Sequence, residues 1–374
     1  MKTSASRPPR KIAVVGQFPP PYGGYPHQPA TFVKLPFDKD TELVQFKTNH
    51  HFNTHLTGIG VSEIKNVVRQ VASMPGFLQQ EQPTCALVFL VVTRSMWRDL
   101  YLINTIRKKG VPVIVKLIAG DGPKVIAAFP PAVRRMILSV LGKTQGILVE
   151  TCEQIEQFAK LLPGLPVYWY PNHIHAGDFP PPITREVLNG PPGIAYMGNL
   201  THLKGVETIL QTVDIVCEQF PAHYHFIGGE KDPGYLEDFR TRASQLKHGH
   251  RVTVHGRIER AEAFPTMQKC QIYAFPSYWP GEGQPASLLE AMMLGLVPIA
   301  SPWRGIPEIV KDGKNGLLVE VKNPQALAEA ICKVLGNAEL RATLSAEAYK
   351  TVKNEFAAEA ALRRFNEATD KILR

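Results

Sequence analysis

Apolar residues along this chain fall into short continuous runs separated by segments of helical period, the alternation expected of parallel strands buried on both faces with helices packed across them. Runs at 11–15, 85–92, 111–117 and 146–150 read as strands, with helices at 61–74, 100–109 and 131–141. A second series starts with a strand at 194–197 and continues through strands at 223–227, 252–255, 271–275, 297–300 and 316–319, with helices at 206–217, 235–246, 287–294 and 325–335. Residues 180–182 (Pro-Pro-Pro) and 191–193 (Pro-Pro-Gly) separate the two series with a stiff, irregular connection. The pattern predicts an α/β protein of two domains, residues 1–180 and 190–356.

Composition narrows the class. At 374 residues, 44% of them hydrophobic and 20% charged, the chain has the length and balance for two globular cores. The longest apolar run, residues 85–92, falls far short of the roughly 20 residues that a membrane span needs. The first eleven residues are basic and polar, unlike a signal peptide. Cysteines at 85, 152, 217, 270 and 332 show neither disulfide nor metal spacing, which fits a reduced, cytoplasmic compartment. The formal charge of +9 is lopsided: residues 1–180 hold 20 Lys/Arg against 11 Asp/Glu, and residues 181–374 hold 22 against 22. A basic first half either meets an anionic partner or is a merely basic soluble domain.

Chemistry concentrates in residues 275–319, which parse as strand, Gly/Pro loop, helix, strand and turn. Pro285 suits the first helical turn, where no N–H partner is needed. The unpaired N–H groups and positive dipole end of that helix form a phosphate site. Glu282 lies in the loop before it. Glu290, five residues beyond Pro285, stands about 7 Å up the axis. Two carboxylates bracketing one anion site suit a ligand that is anionic in its middle and polyhydroxylic at both ends, as a nucleotide diphosphate-sugar is.

The run Glu282-Gly-Gln-Pro-Ala-Ser-Leu-Leu-Glu290, followed by Gly295 and by Gly305-Ile-Pro-Glu308, resembles the E-x7-E signature of family 4 glycosyltransferases. The resemblance is specific over residues 198–319 and loose before them. It implies the GT-B fold, two Rossmann-like domains facing across a cleft, with a last helix (357–374) crossing back to complete the first. The first domain would take the acceptor and the second the nucleotide sugar. By the same resemblance Glu282 meets the donor sugar, Glu290 binds the ribose, and Gly283, Gln284, Pro285, Ala286 and Ser287 hold the diphosphate on backbone atoms. Lys204, in Gly198-Asn199-Leu-Thr-His-Leu-Lys204-Gly205, keeps a diphosphate-gripping position; Glu282 and Lys204 are the implied catalytic pair. Asn199 stands where the family has Arg, and Ala119-Gly120 where many members have His-Gly. Gly23 and Gly24, after the first strand, permit close ligand approach and would line the cleft. Arg257 lies where the nucleobase is received and either stacks on it or faces solvent.

The function implied is retaining transfer of a sugar from a nucleotide diphosphate-sugar to a hydroxyl acceptor in bacterial surface-polysaccharide assembly. No Asp-x-Asp pair ends a strand, so neither metal nor other cofactor is expected; the helix dipole and Lys204 hold the leaving diphosphate. Two alternatives share the fold: a nucleotide-sugar epimerase, and a binding-only pseudoenzyme. Acceptors in such assembly are commonly lipid-linked glycans. The expected location is therefore cytoplasmic, with peripheral contact at an anionic inner membrane face, helped by Lys108 and Lys109 and by Arg134 and Arg135 on a basic amphipathic helix (131–141) that either lies on the membrane or is a half-buried domain helix with its arginines facing water. No nucleic-acid partner is expected.

Overall fold

The computed structural model describes residues 9–20, 24–49, 61–93, 95–181 and 190–373. The chain divides into two compact units, residues 1–172 with 358–374, and residues 173–357.

In the first unit the order is β1 (Arg10–Gly16), α1 (Gly24–Phe32), β2 (Thr41–Lys47), α2 (Val61–Glu81), β3 (Cys85–Val91), α3 (Met96–Lys108), β4 (Val113–Ile118), α4 (Gly122–Ala128), α5 (Pro131–Leu141), β5 (Gly146–Val149), α6 (Cys152–Leu161) and β6 (Val167–Trp169). The second unit contains β7 (Gly193–Met197), α7 (Val206–Leu210), α8 (Thr212–Cys217), β8 (His223–Ile227), α9 (Tyr235–Ser244), β9 (Val252–Gly256), α10 (Arg260–Gln268), β10 (Cys270–Phe275), α11 (Ala286–Met293), β11 (Val297–Ala300), α12 (Ile306–Ile309), β12 (Leu317–Leu318), α13 (Pro324–Gly336) and α14 (Ala338–Thr351). Helix α15 (Ala358–Ile372) then returns the chain to the first unit.

Each unit is built on one six-stranded parallel sheet, in the orders β2-β1-β3-β4-β5-β6 and β12-β11-β10-β7-β8-β9. Both are doubly wound. In the first the winding reverses between β1 and β3, in the second between β7 and β10, and in such sheets ligands bind beyond the carboxyl ends of the strands at that reversal. The central strands explain the continuous apolar runs: all of β3 and β4 is buried, as is all of β10. Helices α2 to α6 cover one face of the first sheet over a core that includes Met74, Leu100, Ile103, Ile126, Ile137 and Phe158. On the other face, α1 and α15 pack Phe32, Ala361, Phe365 and Ala368 against Ile12, Val14 and Leu87.

Several local readings shift. Helix α2 runs through Pro75 to Glu81 rather than stopping at 74. The expected helix at 206–217 is two, divided at Gln211. Strand β2 and helix α1 carry no sequence expectation, and Gly24 opens α1 instead of lying in a loop. Gly23 lies outside the described residues. Two charges of the basic half are internal: Arg98 pairs with Asp99 at 2.7 Å, and Lys116 donates to the Tyr170 carbonyl at 2.7 Å. Burial pushes the Lys116 ammonium down to about 8 and the Asp99 carboxyl up to about 6, the Arg98 guanidinium opposing the latter.

Candidate functional site

The loops that leave β7 and β10, residues 198–205 and 276–285, meet at the reversal point of the second sheet. A single 3-10 turn, His202–Lys204, ends at Gly205 with φ +75°, and a Cβ on Gly205 would lie 2.2 Å from the Pro276 carbonyl oxygen. Only glycine permits that approach. Tyr278 N donates to the Leu203 carbonyl at 3.0 Å and joins the loops again.

This junction brings Lys204 and Glu282 together across 78 positions of sequence, with Nζ 2.6 Å from Oε2. The same Oε2 accepts from the Ser277 hydroxyl at 2.7 Å. Glu282 is only 4% exposed, so its charge depends on these partners. Lys204 is held from a second side, its Nζ lying 4.4 Å from the centroid of the Trp279 ring, within cation–π range.

Pro285, at φ −69° and ψ 118°, precedes the first helical turn rather than joining it, and α11 opens at Ala286. A proline in extended conformation still delivers the chain into a helix whose first N–H groups face the loop. Gly283 and Gln284 are buried beside it, and Gln284 Nε2 donates to Glu308 at 3.3 Å. Ser287 Oγ lies 2.8 Å from the Tyr273 hydroxyl, which in turn lies 2.9 Å from the Met197 carbonyl, so the first turn of α11 is tied to the end of β7.

Glu290 is buried, not a surface charge. Its Oε1 accepts from Arg260 Nε at 3.0 Å and pairs with Nη2 at 2.7 Å. Burial pushes the Glu290 carboxyl up, and the Arg260 guanidinium works against that shift. Asn199 and Arg257 follow strands β7 and β9 of the same sheet. Asn199 is exposed and accepts through its carbonyl from the Tyr196 hydroxyl at 2.9 Å. Arg257 is exposed beyond β9, its Cβ 3.5 Å from where a side chain on Gly229 would begin. Gly24 belongs to the first unit.

Sequence reasoning missed Ser277, Trp279 and Arg260. Serine and arginine at surface-like positions carry no periodic signal, and Trp279 sits in a Gly/Pro loop where an aromatic reads as an isolated residue. Among the described residues no group of three or more His, Cys, Asp or Glu side chains is placed to hold a metal ion.

Residues 185–351 match the family described as Glycosyl transferases group 1. An uncharacterized glycosyltransferase of Methanocaldococcus jannaschii is 29% identical over 167 residues, which are 44% of this chain and 41% of that protein. The N,N'-diacetylbacillosaminyl-diphospho-undecaprenol alpha-1,3-N-acetylgalactosaminyltransferase of Campylobacter jejuni is 28% identical over 145 residues, 39% of this chain and 36% of the relative. The chain thus spans about two fifths of the length of these curated relatives. Among solved structures, Anabaena HepE in complex with UDP and glucose superposes with a TM-score of 0.72 at 15% identity, over 97% of this chain and 100% of that one. The structural likeness shows a GT-B fold, and the sequence match to group 1 glycosyltransferases is confined to residues 185–351, less than half of the chain.

Proposed function

We propose that this protein is a retaining glycosyltransferase of family 4 that moves a hexosyl group from a nucleotide diphosphate-sugar to a hydroxyl acceptor. The observation that carries the reading is the Lys204–Glu282 pair at the start of α11, with Glu290 one turn beyond, at the reversal point of the second sheet. In this reading the α11 N-terminus and Lys204 stabilise the leaving diphosphate, Glu282 meets the sugar hydroxyls, and Glu290 receives the ribose. Retention follows if the leaving phosphate oxygen takes the proton of the acceptor hydroxyl. The bond from the anomeric carbon to phosphate oxygen breaks while the bond to the acceptor oxygen forms on the same face. The bound UDP and glucose of the HepE structure support such a donor.

A thermal-shift screen of UDP-, GDP- and ADP-sugars, followed by product analysis with the best binder, tests this. Transfer to an added acceptor supports the reading. Conversion of the donor without an acceptor means an epimerase, and binding without turnover means a pseudoenzyme. Lys204→Ala is expected to weaken nucleotide diphosphate binding by roughly tenfold or more, the loss of one charge-assisted contact. It should also lower stability by about 1–3 kcal/mol, because Glu282 stays buried with one partner fewer. Titration calorimetry and thermal melting measure the two effects, and unchanged affinity would remove the diphosphate assignment.

The acceptor side of the proposal is a lipid-linked glycan in surface-polysaccharide assembly, met at the cytoplasmic face of a membrane. The C. jejuni relative, whose name carries a diphospho-undecaprenol group, supports this. The first unit holds 24 Lys/Arg against 13 Asp/Glu, the second 18 against 20. Large apolar side chains are exposed on three helices of the first unit: Ile64 and Val68 on α2, Trp97 and Tyr101 on α3, and Met136 on α5. Basic residues Lys108, Lys109, Arg134 and Arg135 accompany them. Among the described residues no helix is long and apolar enough to cross a membrane. Each basic residue near an anionic leaflet contributes about 1 kcal/mol. Sedimentation with anionic vesicles at low salt is therefore expected, with release as salt rises and loss when those four residues are neutralised. Equal sedimentation with neutral vesicles would rule out the electrostatic part.

A further inference from the structure

Lys204 does not bring a whole positive charge to a diphosphate, because its ammonium is already shared with Glu282 at 2.6 Å. The helix N-terminus supplies roughly half an elementary charge. A diphosphate carries at least two negative charges, so this loop cluster calls for another cation, and the chain holds one beside it.

The loop of residues 228–234 leaves β8 next to the 198–205 loop and is stitched to it. Gly198 N donates to the Ile227 carbonyl at 2.9 Å, Leu200 N donates to the Gly229 carbonyl at 2.8 Å, and Leu200 forms a parallel bridge with Glu230. Gly228, at φ +146°, permits the approach: a Cβ there would lie 1.8 Å from the Gly198 carbonyl oxygen. One residue past that bridge is Lys231, exposed, with its Nζ 5.6 Å from the centroid of the Trp279 ring. Lys204 Nζ lies 4.4 Å from the same centroid. The Trp279 main chain is held in place, since its carbonyl accepts from Trp303 Nε1 at 2.8 Å and from Glu282 N at 3.0 Å. Among the described residues no carboxylate pairs with Lys231. Two ammonium groups are thus gathered on one indole, one tied to a carboxylate and one not, beside the N-terminus of α11.

We propose that Lys231 is a second diphosphate-binding residue, and that Trp279 seats it and Lys204 around the same anion. The proposal rests on the donor site described under Proposed function. It assigns Lys231 to the diphosphate and leaves the sugar and base to other groups.

Calorimetric titration with UDP, ADP and GDP, and with the corresponding monophosphates, tests it on wild type, Lys231→Ala, Lys231→Arg and, as a remote control, Lys333→Ala. Lys231→Ala is expected to weaken the best-binding diphosphate about tenfold, the usual size of a charge-assisted contact, and the monophosphate less. It should also make diphosphate binding less salt-dependent. Lys231→Arg should keep most of the affinity, and Lys333→Ala all of it. Binding that quenches Trp fluorescence in wild type but not in Trp279→Phe would support the shared seat. If Lys231→Ala binds the diphosphate as wild type does while Lys204→Ala does not, the proposal falls and the donor site stands. If wild type binds none of the three diphosphates, the donor-site reading falls and takes this one with it. Lys231 is exposed, so unchanged melting temperatures are expected for Lys231→Ala and Lys231→Arg.

Discussion

Replacing Glu282 by Gln is expected to cut turnover of the nucleotide sugar by about 10²–10³-fold, the usual loss when one electrostatic contact to a transition state is removed. The same change should leave free nucleotide diphosphate bound as tightly as before or more tightly. The two effects part because of what the carboxylate touches. In the proposed reaction, positive charge would develop on the sugar as the bond to phosphate breaks, and a neutral amide would no longer stabilise it. Lys204, held at 2.6 Å by the Glu282 carboxylate, loses a competing anion in the variant and is freer to meet phosphate. Steady-state kinetics and calorimetry with the free diphosphate separate these predictions. If both quantities fall in step, Glu282 belongs to the diphosphate and not to the sugar. Gln retains the shape and a hydrogen-bonding oxygen, so a modest drop in melting temperature is all that folding should show.

Stability should fall between pH 6.5 and pH 4 more steeply than the carboxylates alone would cause, because of a ladder of histidines on β8 and β9. His225 Nδ1 lies 3.1 Å from His255 Nε2, the rings of His223 and His225 lie 4.8 Å apart, and His223 Nε2 lies 2.8 Å from the Thr253 hydroxyl. Burial first, then His223, His255 and Lys269, push the His225 imidazole down to about 4. His223 and His255 are lowered too, chiefly by burial, with Arg251 and His250 adding to the effect on His223. A depressed folded-state pKa means that the unfolded chain takes the proton first. The contribution of neutral His225 is therefore full above its unfolded value near 6.5 and is lost as pH falls towards 4. The full shift corresponds to at most about 3 kcal/mol, and solvent reaching the partly buried ring reduces this to about 1–2 kcal/mol. Denaturant unfolding at a series of pH values should give a shallower loss for His225→Gln than for wild type over that window. Parallel curves would mean that the ladder is protonated without penalty.

Where the sequence was informative, the signals were local. The strand β10, the Gly/Pro loop after it and the opening of α11 are all readable, because a buried parallel strand must be apolar throughout and a helix start has its own composition. The two carboxylates show in their spacing along one short segment. What brings them their partners does not show. Lys204 reaches Glu282 and Arg260 reaches Glu290 across 78 and 30 positions, the first pair through loops and the second through helices whose meeting depends on the order of strands in the sheet. Strand order follows from packing, not from periodicity. Strand β2, with most of its residues partly or fully exposed at a sheet edge, lacks the apolar run that marks its neighbours. Helix α1 contains Pro26 and Pro29 and so reads as loop, although the core built around Phe32 holds it in helical form. Pro75 likewise marks an end that α2 does not take, since buried Met74 and Leu78 anchor the helix on both sides of it.

The return of α15 to the first unit sets an order of events during synthesis. Phe365 packs edge-on against Phe32 at 4.8 Å and Tyr170 at 6.1 Å, and Arg10 on β1 hydrogen-bonds to Asn366. Arg10 thus waits for a partner made 356 positions later. Until α15 has left the ribosome, one face of the first sheet lacks the side chains of Ala361, Phe365, Ala368 and Ile372 that close it over Ile12, Val14, Leu87 and Phe89. The second unit is continuous in sequence and needs nothing translated after it. This departs from the usual sequence in which the amino-terminal domain matures first: from the end of β6 until α15 emerges, the nascent chain carries an apolar sheet face only partly covered by α1, the interval in which a chaperone has most to shield.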